Sequence, residues 1–230
     1  MTGEEVYEVF RKIGATQLHH ANTVATSCSF LELGGLASRE LVAKRGLPQT
    51  PQDSDEIDKK FKIWHCIFVD HVDIHNRAGR VKGPNQYGPV LFVLDLKMLL
   101  DLPKETNVLV TKKNPIYFKS GEMVGDKWYQ SADELAADLQ FGNFDKMIVI
   151  ETSSGLLKFP DRKALVRLDS PERTLQSGVD GRTNAEKELK AAAKRGGVCI
   201  TINPANCHSA CSCVHKYANY PSQHFEKLFG

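Results

Sequence analysis

The 230-residue chain has almost no net charge, since 30 Lys and Arg stand against 28 Asp and Glu for a formal +2. Bulk charge therefore announces no polyanionic partner, and nucleic acid has to be held by a local basic patch. No run of ~18 apolar residues is present to span a membrane as a helix. The opening residues, MTGEEVYEVFRKIG, are acidic and amphipathic, unlike the basic and then apolar start of a secretory leader. Internal repeats and low-complexity segments are also missing, which excludes solenoid and array architectures. Without a leader, the six cysteines are expected as reduced thiols in the cytoplasm.

The hydrophobic fraction of 41% with 25% charged residues is that of an ordinary globular protein, and the length suits one domain over residues 1–230. Val6, Phe10 and Ile13 recur at helical spacing, predicting a short amphipathic helix that Gly14 ends. Residues 15–24 read as the first strand. Thr26, Ser27 and Ser29 can each cap a helix over residues 30–33, with Ser29 and Glu32 at capping-box spacing and Gly34 or Gly35 as its left-handed end. The two prolines and turn-formers of residues 46–56 predict an exposed loop. Residues 61–74 read as a long strand, with Ile67, Val69, His71, Asp73 and His75 on one face. The apolar run GPVLFVLDL predicts a strand buried on both faces.

Residues 107–111 and 115–118 read as two short strands, and Ser131 with Glu134 as the capping box of a helix burying Leu135 and Leu139. Residues 144–151 read as a buried strand forming a hairpin with residues 155–159. Residues 160–183 are polar and give no assignment. A helix over 184–194 and a strand over 198–202 precede a Cys-rich tail.

Several groups carry chemistry. His19 and His20 end the first strand, and alternation points one into the core and the other to the opposite face. A histidine there can donate to a ribose hydroxyl or carbonyl, or be structural. Arg39 after Ser38 can clamp a phosphate, or pair with Glu40 or Glu32. His71, Asp73 and His75, beside Asp70, have ligand types that suit zinc or iron, although same-face strand neighbours lie ~7 Å apart. Cys207, His208, Cys211, Cys213 and His215 offer the ligands of a structural zinc site, with free thiols as the alternative. Glu151 ends the apolar strand MIVIE, where it can stabilise a developing cation or accept a proton, or simply face water; Asp145 is the competing carboxylate. Arg77, Arg80 and Lys82, with Lys112, Lys113 and the cations of the 187–195 helix, can hold phosphates if they meet on one surface.

Four of these stretches, LHHANTVATSCSFLELGGLASRE, IFVDHVDIHNRA, YGPVLFVLD and FDKMIVIETSSGLLKF, occur in an order and spacing that resembles the DarT-type ADP-ribosyltransferase toxins and related CmdT-type enzymes of bacterial phage defence, which modify nucleic acids. The resemblance runs over residues 18–159. It implies an α+β fold, a split β-sandwich of the ADP-ribosyltransferase type with flanking helices, and NAD as co-substrate in its cleft. It implies NAD binding by His20 or His19 and by Ser38, nicotinamide packing by Tyr87 or a neighbour, and catalysis by Glu151 with Arg39 or Arg45. The implied partners are single-stranded RNA or DNA, held by Arg77, Arg80 and Lys82, and an antitoxin protein. Residues 160–230, with a possible zinc site at Cys207, Cys211, Cys213 and His215, would be a C-terminal extension. Two other classes compete: a zinc-stabilised nucleic-acid-binding module, and a metal-dependent hydrolase or nuclease using His71, Asp73 and His75.

Overall fold

A computed structural model describes residues 1–73, 84, 87–140, 146–205, 207 and 211–230. Thr2 opens α1 (Gly3–Lys12): its hydroxyl accepts the Glu5 N–H at 3.2 Å, and the Glu5 carboxylate accepts the Thr2 N–H at 2.7 Å. Val6, Val9 and Phe10 form the buried face. After β1 (Gln17–Asn22), α2 (Val24–Leu33) starts earlier than expected because Thr23, not Ser27 or Ser29, is its cap. Two of the three hydroxyls that read as caps bond sideways instead. Thr26 accepts the Thr50 N–H at 2.9 Å, and Ser29 donates to the Pro48 carbonyl. The 46–56 stretch is a loop as expected, with Gly46, Pro48, Pro51 and Asp53 exposed, but it is tied to α2 through Thr50, which is buried. Gly34, at φ 78°, ends the helix in the left-handed conformation that only glycine adopts without strain.

β2 (Gly35–Ala37), α3 (Arg39–Lys44) and α4 (Asp55–Lys60) follow. The expected long strand over 61–74 shrinks to β3 (Ile67–Val69), because Lys62 takes a left-handed turn (φ 59°) and the Asp58 carbonyl accepts the Ile63 N–H. Asp70 adds one bridge, to His19 of β1. β4 (Val90–Asp95) is buried on both faces as expected. β5 (Asn107–Val110) is a strand, but Pro115–Tyr117 is a 3₁₀ turn, since the Asn114 side chain accepts the Ile116 N–H and Pro115 sits at the first helical position. α5 (Val124–Lys127) precedes α6 (Ala132–Asp138), which Ser131 caps while Leu135 and Leu139 are buried.

β6 (Ile148–Glu151) does not form the expected hairpin with β7 (Leu156–Lys158). Gly155, at φ 65°, turns the chain out, and β7 pairs with β2. The unassigned 160–183 region contains β8 (Lys163–Leu168); α7 (Gly181–Gly196), β9 (Cys199–Pro204), α8 (Cys213–Asn219) and α9 (Ser222–Phe229) complete the chain.

The strands make a four-stranded sheet in the order β1-β4-β8-β9, a three-stranded sheet β3-β6-β5 and the β2-β7 pair. All pairings are antiparallel except β8 with β9, whose parallel connection runs through α7 as such a crossover requires. The architecture is α+β. Residues 160–230 are not an appendage, which corrects the expected C-terminal extension: β8 pairs with β4 inside the main sheet, and Tyr217, Phe225 and Phe229 lie fully buried in the common core. No helix among the described residues is long and apolar enough to cross a membrane.

α2 and α7 meet at close range because Gly196 has no side chain. A Cβ there would lie 2.0 Å from the Leu31 carbonyl oxygen and 2.9 Å from the Glu32 Cα. On an open helix Gly→Ala gains ~1 kcal/mol. Here Gly196→Ala is expected to lose about 1–3 kcal/mol, because backbone cannot move aside as a side chain can. Urea unfolding measures it, and a gain in stability would show that the two helices are not in tight contact.

Candidate active site

Antiparallel register sets the site. Asn107 opens β5 directly opposite Glu151 at the end of β6, so their side chains share one face. The Asn107 amide donates to Glu151 Oε2 at 3.1 Å, and His65, from the turn before β3, places Nε2 2.9 Å from Oε1. Glu151 is therefore held from both sides while its side chain remains 42% exposed. The His65 contact, then the Asn107 amide, hold its carboxyl below the usual glutamate range, so it is a carboxylate at neutral pH. It faces a cleft of ≈ 460 Å³ whose lining includes Ser38, Lys44, His65, Asn107 and Gly155, a volume within the ordinary range for small-molecule sites.

Of the residues expected in the site, Ser38 and Glu151 share this cleft. Ser38 is buried; its N–H donates to the Gly155 carbonyl at 2.8 Å, and its hydroxyl accepts the Leu41 N–H as the cap of α3. Arg39 pairs with neither Glu40 nor Glu32, which are taken by Lys44 and Arg195. Its guanidinium turns away to Asp55, with Nε 2.6 Å from Oδ1 and Nη2 2.8 Å from Oδ2, and Nη2 also donates to the Thr50 carbonyl. It stacks 5.4 Å from the Trp64 ring centroid. Trp64 thus stands between the Arg39 ion pair and its own neighbour His65 in the cleft.

The two histidines part as alternation predicts. His20 shares a face with Phe92 and places Nδ1 2.6 Å from the Phe68 carbonyl, while Asn22 Nδ2 lies 3.4 Å from its Nε2. Burial pushes its pKa down against the opposing Phe68 contact, and the Arg39 charge adds to the depression. A neutral ring then donates from Nδ1 and keeps Nε2 as an acceptor. Asn22 also accepts from Gln52, which links His20 to the 46–56 stretch that carries Thr50 and its bond from Arg39. His19 faces the other way and is buried. Burial pushes its pKa to about 4, opposed by Asp73 and reinforced by Arg167. Tyr87 is half-buried beside Gly88, where a Cβ would lie 2.3 Å from the Asn22 backbone. Arg77, Arg80 and Lys82, like His75, Asp145 and His208, lie outside the described residues.

Of the expected His71/Asp73/His75 strand face, the two described residues His71 and Asp73 lie beyond the end of β3 and are not on a strand. Asp73 instead makes a 2.5 Å ion pair with Arg167, and the His71 ring packs on Phe10. Among the described residues the one group that brings three metal-ligating atoms within 4.8 Å is Cys207, Cys211 and Cys213. This triad can hold a metal ion. His215, expected as a fourth ligand, is outside that group: it is exposed on α8, where its carbonyl and ring face Asn219. Burial pushes the Cys207 thiol up to about 12 and raises Cys213 further, so without a metal both are neutral thiols.

His65, Asn107, Asp55 and Asp58 carry no signal in the sequence that marks them. Asp58 is 7% exposed on α4, and burial pushes its carboxyl up to about 6, against the opposing Ser54 hydroxyl and with help from Asp55. A carboxyl raised in the folded state contributes stability that is complete below its unfolded value near 3.8 and is lost as pH rises through about 6. Asp58→Asn is therefore expected to be neutral near pH 4 and to raise stability at pH 7–8 by about 2–3 kcal/mol. Denaturant unfolding across that range checks it; a pH-independent difference would place the charge elsewhere.

No known family model matches this chain, and none of the curated proteins is significantly similar to it.

Proposed function

We propose that this chain is an NAD-dependent ADP-ribosyltransferase with a split-sandwich fold of that type, acting as a cytoplasmic toxin that transfers ADP-ribose to a base of single-stranded RNA or DNA. The observation that carries the reading is Glu151, an ionised, half-exposed carboxylate fixed by His65 and Asn107 at the wall of an open cleft. Two of its lone-pair sites are taken and the rest remain free for a ligand.

NAD supplies a nicotinamide–ribose bond whose loosening leaves positive charge on the ribose carbon. A fixed carboxylate is what such charge requires, because no reorganisation is needed when the charge develops. Nicotinamide leaves with the bonding electron pair, a base nitrogen forms the new bond to that carbon, and Glu151 or water accepts the proton released from the base. A target base has to be unstacked or single-stranded to reach such a cleft. Ser38 shapes the cleft wall, and Arg39, held by Asp55, positions the α3 end of that wall. An antitoxin protein is the expected partner of such a toxin.

Incubation with labelled NAD and separate RNA, DNA and protein pools tests the reading. Label in one nucleic-acid pool supports it; label in the protein pool alone, or in none, overturns it.

The thiol triad favours a second assignment, a structural zinc ion on Cys207, Cys211 and Cys213 that displaces their protons. Elemental analysis of protein prepared without chelator is then expected to find about one zinc per chain, lost in Cys213→Ser. Zinc-free protein of full stability would overturn this assignment and leave three free cysteines.

A further inference from the structure

The outer face of the three-stranded sheet, on which Glu151 lies, is covered beyond Val149 by an aromatic cluster: Phe61 meets Phe118 edge-on at 5.5 Å, and Phe118 meets Trp128 at 5.3 Å. Above this cluster the chain does something unusual for a surface. Tyr117 is 68% exposed, Met123 73% and Val124 63%, with Ile116 beside them at 40%. Exposed apolar residues scattered singly need no explanation, but these four sit on two short elements that run into the two sides of the Phe118–Trp128 contact.

The rim of this patch is cationic. Lys60 and Lys127 lie 5.7 and 5.2 Å from the Phe61 ring centroid. Lys62 and Lys119 are exposed. Neighbouring cations are neutralised, Lys59 by Glu56, Lys112 by Glu134 and Lys113 by Glu122. Lys60, Lys62, Lys119 and Lys127 make no ion pair among the described residues. Of the two acids in this segment, Glu122 is taken by Lys113 and the Lys119 N–H, and exposed Asp126 accepts the Met123 N–H; the Lys127 ammonium donates to the Glu122 carbonyl at 3.1 Å. What is left is an exposed ring with apolar neighbours, bordered by unneutralised lysines.

We infer that the Tyr117 patch with its lysine rim is a docking surface for a single-stranded polynucleotide, whose bases stack on Tyr117 and whose phosphates lie along Lys60, Lys62, Lys119 and Lys127. A base offers the π-face that an exposed ring and apolar side chains can cover, and a phosphate chain supplies the negative charge the rim lacks. A double helix hides its base faces and would engage the lysines alone. The surface is on the same side of the sheet as the cleft. Val149 beneath the cluster and Glu151 are two residues apart on β6, ~7 Å along a strand. A strand bound there is thus led toward the carboxylate. The inference deepens the transferase reading and rests on it for the direction of the strand, but binding itself needs neither NAD nor transfer.

The test measures fluorescence anisotropy of labelled oligo-dT, oligo-U and a duplex of equal length, using the full chain carrying Glu151→Gln and no NAD. Single strands are expected to bind more tightly than duplex, and the two single-stranded probes report the sugar preference. Tyr117→Ala is expected to weaken single-strand binding by roughly five- to hundredfold, with Tyr117→Phe restoring most of it because the ring remains. Lys119→Glu is expected to weaken binding and flatten its salt dependence. Equal affinity of Tyr117→Ala and the parent overturns the surface, as does absence of single-strand binding, or tighter binding of duplex. Tyr117-dependent binding with no labelled product in the NAD assay would keep the surface and remove the transferase; transfer undiminished in Tyr117→Ala would do the reverse.

Discussion

Glu151→Gln is expected to lower the initial rate of ADP-ribose transfer by about 10²–10³-fold while leaving the fold intact. Glutamine has the same shape and loses only the charge. The contacts can adapt: His65 can move its proton to the other ring nitrogen, and the Asn107 amide can turn its oxygen toward the new NH₂ group. With the side chain 42% exposed, the stability change is expected to stay within about 0.5 kcal/mol. A rate within threefold of the parent would remove Glu151 from the mechanism. The pH profile adds a second check. Because the folded pKa of Glu151 is held below the ordinary value of 4.5, its protonation limb lies on the acid side of that value. A limb from this carboxyl near neutrality would contradict the bonds from His65 and Asn107.

Arg39→Ala is expected to cost about 3–5 kcal/mol of stability, because it leaves the Asp55 carboxylate uncompensated in a nearly buried position. Both side chains are largely covered, at 13% and 14% exposure, and Asp55 also accepts the Gln52 N–H at 3.0 Å. Removing both partners in Arg39→Ala/Asp55→Ala should recover part of that loss, since no lone charge remains. Arg39→Lys should rescue poorly, as an ammonium group cannot reproduce the two-pronged contact. Chemical denaturation of the four members of the cycle gives the coupling directly. A loss below 1 kcal/mol for Arg39→Ala would mean that the pair is dispensable and that the guanidinium is free for a ligand.

How far the sequence led depends on where the deciding contact lies. Gly34 as a helix end, β4 as a doubly buried strand and Ser131 as a cap are local matters, and they were legible from neighbouring residues. The α2 start was misplaced because Asn-Thr ahead of a run of hydroxyls offers several equivalent caps, and the choice is made by Thr50, 24 residues after Thr26. β8 was hidden because its polar alternate residues, Lys163 and Arg167, mask the buried Ala164, Val166 and Leu168. The hairpin of β6 with β7 failed for the same reason in reverse: adjacency in sequence suggested a partner, but β2 holds β7 instead. In the site, a carboxylate closing MIVIE was conspicuous by itself. Its two supports were not, since His65 and Asn107 lie 86 and 44 residues away in the chain and meet Glu151 only through the sheet. Of the two alternatives open for Arg39, the pairing with Glu40 or Glu32 does not form for a comparable reason, as Asp55 reaches it only once the 46–56 stretch has folded back over α2.

The place of β4 between β1 and β8 has a consequence for biosynthesis. On the ribosome, β1 and β4 emerge long before β8, and until then one edge of the doubly apolar β4 has no partner. Such an edge invites pairing with another chain. The residues lining the Glu151 cleft and the three-stranded sheet that carries it all precede β8, yet the core also needs Tyr217, Phe225 and Phe229. Nascent chains stopped short of α9 should therefore be substrates for chaperones and proteases, since the common core closes only once α9 has emerged.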